Sequence, residues 1–130
     1  MSDFIWQKSK FQEISTLLVS TVSGFGESPE YQKLAEYERD ISGVVVGAFA
    51  QYLCRLHERK QAGENNEDLD SAITSAHNAI EEMASSSESA ILELVTDEIY
   101  ENLECNTEVL EKIREHLNPA SLALYERWKG

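Results

Sequence analysis

Apolar residues recur along most of this chain at steps of three and four, the spacing that places side chains on one face of an α-helix. The first stripe covers residues 4–22 and ends at the two glycines of residues 23–26, which favour a loop. Ser28 and Pro29 then fit an N-cap followed by a proline in the first turn. A short polar helix is predicted from there to about Asp40.

Residues 41–56 differ from the other stripes because they carry no charge before Arg55 and are apolar or small on every side. Such a helix is typical of the middle of a bundle, where Gly43 and Gly47 would let a neighbouring backbone approach closely. The β-branched run of residues 44–46 could instead form a buried strand. The helical period continues for about four turns, which favours the helix.

Amphipathic stripes also occupy the second half of the chain, and each follows a residue that can cap a helix. The predicted caps are Asn65 or Asn66, a capping box formed by Ser85 and Glu88, Asn106, and Asn118 before Pro119. The helix after Glu88 is predicted to run without interruption until it ends near Glu104.

These patterns predict an all-α protein, because no pair of strands and no alternation of strands with helices is visible. We expect residues 1–130 to form a single-domain irregular bundle of five to seven helices. Stacked helix pairs, as in a short α-solenoid, are the alternative. A length of 130 residues with 42% hydrophobic residues suits one domain with its own core.

The ends and the cysteines predict a cytoplasmic chain without a membrane segment. The first residues lack the basic region of a signal peptide, and no stretch approaches the ~20 apolar residues of a membrane span. Cys54 and Cys105 are too few for a disulfide framework and do not form a C-x-x-C pair. Reduced thiols are therefore expected.

The negative charge of this chain is local. Residues 61–111 hold fourteen Asp and Glu and no Lys or Arg, so they contribute −14. The remaining residues hold ten acids and eleven bases, or +1, and the sum is the net charge of −13. A one-sided field of this kind steers and holds a basic partner. It gives no support to nucleic-acid binding, which needs a basic surface.

Signatures of catalysis and of metal binding are missing from the sequence. None of His57, His77 and His116 has a Glu three residues before it, and the acids of residues 64–70 lack the glycine-centred calcium loop. No phosphate loop or nucleophile elbow is present. Cys54 and His57 lie three apart and could pair as nucleophile and base, although a packing role is the preferred interpretation. We therefore expect no enzyme activity, no metal and no cofactor.

The strongest candidate site is acidic. At 100° per residue, four acids opposite the apolar stripe fall within an arc of about 80°, with Tyr100 at its border as an aromatic anchor. These acids are Glu93, Asp97, Glu101 and Glu104. A second acidic cluster is predicted from Glu67, Asp68, Asp70, Glu81 and Glu82. Near the apolar stripe, we expect Asn102 to bond a backbone turn and Glu98 to pair with Arg55.

Three segments carry a resemblance to known proteins: the apolar residues 45–53, the helix of residues 94–103, and the leucine, polar, proline start of the last helix at residues 117–120. In this order they resemble the small acidic helical immunity proteins of contact-dependent and polymorphic bacterial toxin systems. The resemblance spans roughly residues 30 to 128. It implies a non-enzymatic inhibitor whose partner is a cognate toxin.

The charge pattern adds that the toxin has a basic surface, as a nuclease does. The alternative is a helical adaptor or a homo-oligomeric scaffold, such as a homodimer, in which the acids serve solubility only.

Overall fold

The described part of the chain, residues 13–130 of a computed structural model, is built from helices and contains no strand. Seven α-helices follow one another along it, which confirms the predicted all-α bundle. They are α1 (Ile14–Thr21), α2 (Pro29–Gln32), α3 (Ser42–Gln61), α4 (Glu67–Ala84), α5 (Ser89–Glu93), α6 (Thr107–His116) and α7 (Pro119–Lys129). The beginning of the first predicted stripe, residues 4–12, lies outside the described residues.

Helix α3 is the central helix, as its apolar surface predicted. It contacts α1, α2, α4, α6 and the turns that follow α5. Eleven of its residues are buried, among them Phe49, Leu53 and Leu56, whose side chains have no exposed surface. The competing strand interpretation of residues 44–46 is wrong, since the helix runs through them without a break.

Three of the predicted N-caps make the expected hydrogen bonds. Ser28 Oγ accepts from the N–H of Tyr31 at 3.2 Å, and Asn66 Oδ1 accepts from the N–H of Leu69 at 2.8 Å. Asn106 Oδ1 accepts from the N–H of Val109 at 2.9 Å. Each bond satisfies a backbone N–H that has no partner inside its own helix, so the local sequence signals were sufficient here.

Two predicted boundaries are wrong. The polar helix expected up to Asp40 ends at Gln32, and a separate 3₁₀ turn covers Glu36–Asp40 after an extended residue, Ala35. The Glu38 carboxylate accepts from the N–H of Ala35 at 2.7 Å, and this bond caps the beginning of the 3₁₀ turn. Helix α5 has Glu88 as its N-cap, whose side chain makes no cap bond, so the predicted capping box with Ser85 does not form.

The helix predicted to continue to Glu104 changes its winding twice. Helix α5 ends at Glu93, a π-helical turn covers Leu94–Ile99, and a 3₁₀ turn covers Tyr100–Asn102. A π-helix is wound more widely than an α-helix, so the angle between successive side chains falls below 100° there. The helical wheel therefore misplaces the residues that follow Leu94.

The N-terminus of α7 is capped by a distant side chain. Asn118 makes no side-chain cap bond. Instead, Glu81 on α4 accepts from the N–H of Ala120 at 3.0 Å and from the N–H of Ser121 at 2.9 Å. The two carboxylate oxygens satisfy two free donors, and the negative charge lies at the positive end of the helix dipole.

Replacing Glu81 with alanine should reduce the free energy of unfolding by about 1–2 kcal/mol, because α7 loses both capping bonds and the favourable charge. Urea denaturation measures the change. Glu81→Gln is the matched control, since its amide keeps one acceptor oxygen and should lose less stability than the alanine variant. Equal stability of Glu81→Ala and the unmodified chain would show that this cap contributes nothing.

Candidate functional site

Four of the predicted acids, Glu93, Asp97, Glu101 and Glu104, are carried by a segment whose winding changes twice, so the single 80° arc of the wheel does not describe them, and we call this set of four acids the acidic face. All four are exposed, and they lie within residues 93–104. None forms an ion pair with a lysine or arginine of residues 13–130. Their side-chain contacts are with neutral donors, namely Thr96 Oγ1 to Asp97 at 3.1 Å and Trp128 Nε1 to Glu101 at 3.3 Å.

Tyr100 does not border the acidic face, and its prediction as a surface anchor is wrong. Its side chain is 3% exposed, and its hydroxyl donates to the backbone oxygen of Ser121 at 2.7 Å. Burial raises the pKa of this hydroxyl, and the nearby Glu81 carboxylate raises it further. The π-helical turn before Tyr100 explains the difference from the wheel, because it rotates this residue towards the core.

The aromatic residue that reaches the acidic face is Trp128, from the last turn of α7. It is half-buried, and its ring packs 5.7 Å from those of Tyr100 and Tyr125, measured between ring centroids. Its N–H points to Glu101. Sequence reasoning missed it because the two residues are 27 positions apart, and only the docking of α7 brings them together.

The second predicted acidic cluster is only partly available to a partner. Asp70 is paired with Lys60 at 2.8 Å, and Glu81 is used as the cap of α7. Glu82 is half-buried. Glu67 and Asp68 remain exposed in the first turn of α4, where carboxylates stabilise the helix dipole. The five acids therefore do not form one uncompensated surface, and two of them are engaged by the fold.

Glu98 and Asn102 lie between the acidic face and α3. Asn102 Nδ2 donates to the backbone oxygen of Glu98 at 2.7 Å, which confirms the predicted bond to a nearby turn. The predicted pairing of Glu98 with Arg55 is wrong, because Arg55 forms two bonds with Glu30, at 2.8 and 3.2 Å.

The Glu98 carboxylate instead lies against the glycines of α3. A Cβ atom on Gly43 would be 3.6 Å from its carboxylate carbon, and one on Gly47 would be 3.7 Å from its Oε2. Burial raises the pKa of this carboxyl, and the charge of Asp97 adds to the effect. The nearest atoms to Gly43 and Gly47 of α3 therefore belong to polar side chains, whereas the sequence predicted a neighbouring backbone there.

Comparisons with known proteins do not assign this chain to a family. No protein-family model, curated protein or solved structure matches it. The resemblance to immunity proteins therefore remains a prediction that depends on the three segments and on the charge. Within residues 13–130, no helix combines the length and the apolar composition that crossing a bilayer requires.

The three histidines of the chain meet in one cluster, which sequence reasoning did not predict. His57, His77 and His116 come from α3, α4 and α6, and their ring centroids lie 5.2, 5.0 and 5.4 Å apart. The Nε2 atoms of His57 and His77 are 2.9 Å apart, so one ring donates its N–H in a hydrogen bond to the ring nitrogen of the other. His116 Nδ1 donates to the backbone oxygen of Lys112 at 2.8 Å.

Two of these rings are held in the neutral form. His57 is 2% exposed and His77 is 4% exposed. Burial, with a smaller contribution from the neighbouring imidazoles, lowers the pKa of His57 to about 4 and that of His77 to about 3. No set of three His, Cys, Asp or Glu side chains in the described part is arranged to hold a metal ion. The cluster is best described as a contact between three helices in which the His57 and His77 rings are buried and neutral.

Cys54 and His57 do not face each other as a nucleophile and a base. The thiol of Cys54 donates to the sulfur of Cys105 at 2.9 Å, whereas His57 contacts the other two histidines. Burial raises the pKa of Cys54, and the bond to Cys105 raises it further, so this thiol carries no charge near neutral pH. The geometry gives the pair no catalytic arrangement.

Proposed function

We propose that this chain is a non-enzymatic immunity protein that binds a basic bacterial toxin through its acidic face. The observation that carries the proposal is the set of four exposed carboxylates in residues 93–104 without an ion-pair partner in residues 13–130. A cationic surface on the partner would supply the missing counter-charges.

Some acids elsewhere in residues 13–130 are paired with cations of the chain, although others, such as Glu67 and Asp68, are not. Glu30 is paired with Arg55, Glu64 with Arg59, and Glu126 with Arg114. The four carboxylates of the acidic face lack such a partner within residues 13–130. A binding role accounts for retaining these charges, because complementary potentials raise association rates and disfavour wrong partners.

Trp128 supplies the apolar part of such an interface. Tryptophan is enriched among the residues that dominate binding energies, since it offers a large rigid surface with one polar atom. Here that atom is bonded to Glu101, so the ring and the carboxylate are held side by side. A partner arginine that pairs with Glu101 would also lie against the indole ring, where a cation–π contact is favourable.

A nuclease is the toxin class that fits best. Its substrate is a polyanion, so its active-site cleft is lined with Lys and Arg. The same cations attract the carboxylates of the acidic face, and a bound helical domain would block access of nucleic acid. A homodimer formed through the acidic face is disfavoured, because a two-fold interface would place the same carboxylates opposite one another.

Co-expression tests this proposal in cells. The product of the adjacent upstream gene should stop growth when it is expressed alone, and this chain should restore growth. Restoration should fail when Glu93, Asp97 and Glu101 are replaced by their amides in a chain that still accumulates. An adjacent gene product that is acidic, or growth that this chain does not restore, would contradict the proposal.

A further inference from the structure

The two cysteines of the chain lie in contact although they are 51 positions apart. The Sγ atoms of Cys54 and Cys105 are 2.9 Å apart, whereas the sulfur atoms of a disulfide bond are separated by about 2.05 Å. Both residues are free thiols in this structure. Cys54 lies within the central helix α3, and Cys105 follows the acidic face and precedes α6. Less than an ångström of movement therefore separates the pair from bonding distance.

We propose that Cys54 and Cys105 form a reversible intramolecular disulfide bond when the chain meets a disulfide oxidant such as oxidised glutathione. The proposal is independent of toxin binding, because it depends only on the contact between the two sulfur atoms. It also changes the expectation from the sequence, which predicted two unconnected reduced thiols.

Cys105 is the residue that an oxidant reaches first, since it is half-buried while Cys54 is 5% exposed. Its thiolate attacks one sulfur of oxidised glutathione, and one molecule of reduced glutathione leaves. The Cys54 thiolate then attacks the Cys105 sulfur of the mixed disulfide and displaces the second glutathione. In total the two thiols lose two protons and two electrons, and one molecule of oxidised glutathione becomes two of reduced glutathione.

Burial should make this reaction slow at neutral pH. The pKa of both thiols is raised above the ordinary value, and desolvation is the largest cause for each. The attacking species is the thiolate, so the rate should rise as the pH increases through about 8.5.

The bond would connect α3 to the segment between the acidic face and α6. It would close a long loop, and a cross-link over a long loop stabilises a protein chiefly by restricting its unfolded chain. The melting temperature of the oxidised chain should therefore exceed that of the reduced chain by about 5–15 °C.

The test is to incubate the purified full chain with oxidised glutathione at about pH 8.5, where more of each thiol is ionised than at neutral pH. We expect a monomer that has lost two hydrogen atoms by intact mass and that has no titratable thiol in denaturant. Dithiothreitol should restore both thiols and lower the melting temperature again. The Cys105→Ser variant should show no such change in melting temperature.

Three results would overturn the inference. The first is a stable glutathione adduct at Cys105 without an intramolecular disulfide bond. The second is a disulfide-linked dimer. The third is an unmodified chain that keeps both thiols free while folded, provided that the Cys105→Ser variant has been shown to fold. A control reaction in urea establishes that the oxidant is active. Oxidation that occurs in urea but not in the folded chain would equally overturn it.

Discussion

Lowering the pH from about 7 to about 5 should reduce the free energy of unfolding by about 3 kcal/mol, because His57 and His77 must stay neutral in the folded chain. Their rings are buried, and burial holds their pKa at about 4 and about 3, below the ordinary value of 6.5. A change of this size is a large part of the stability of a typical domain.

The sign follows from the numbers of protons that the two states bind. Below pH 6.5 the unfolded chain gains protons on both histidines, whereas the folded chain gains them only near pH 4 and below. Stability is therefore fully present above 6.5 and is lost as the pH falls from 6.5 to about 4 for His57 and to about 3 for His77.

Urea denaturation at a series of pH values between about 7 and 5 measures this effect. Replacing both His57 and His77 with glutamine removes the two titrating groups, so the dependence on pH in this window should flatten even if the variant is less stable. Equal slopes for the unmodified chain and the double variant would contradict the prediction.

Neutralising the acidic face should weaken binding to the basic partner by about 10–100-fold, because each carboxylate loses a charge-assisted bond with a partner cation. The variant carries Glu93→Gln, Asp97→Asn and Glu101→Gln. These residues are exposed, so the fold should be retained and circular dichroism should be unchanged. Isothermal titration calorimetry with the purified partner gives the dissociation constant.

A matched control separates local pairing from net charge. Glu13→Gln, Glu36→Gln and Asp40→Asn remove the same number of exposed carboxylates outside residues 93–104. The control variant should bind within about threefold of the unmodified chain, because these carboxylates are not the ones that we propose to pair with the partner's cations. Equal weakening by both variants would show that only the total charge matters.

The helices could be predicted from the sequence because their signals are local. The caps at Asn66 and Asn106 and the proline at the start of α7 act within a few residues of the chain. Phe25 shows the limit of this reasoning. It lies in the predicted loop of residues 23–26, yet it is fully buried, with its ring centroid 5.8 Å from that of Phe49.

The candidate site was less predictable, for two physical reasons. The exposed acids could be found because charge and exposure are correlated. The change in winding after Glu93 has no local sequence signal, and it places Tyr100 in the core instead of at the surface. The contacts of Trp128 with Glu101 and of Cys54 with Cys105 join residues that are distant in sequence. The local patterns of a single sequence do not indicate which helices pack together.

The dependence of partner binding on salt tests the acidic face most directly. The dissociation constant of the unmodified chain for its purified partner should rise at least about tenfold between about 0.05 and 0.5 M sodium chloride, because salt screens exposed ion pairs. The variant with Glu93, Asp97 and Glu101 neutralised should show a much smaller rise. A dissociation constant of the unmodified chain that does not change with salt would contradict a role for the acidic face in binding.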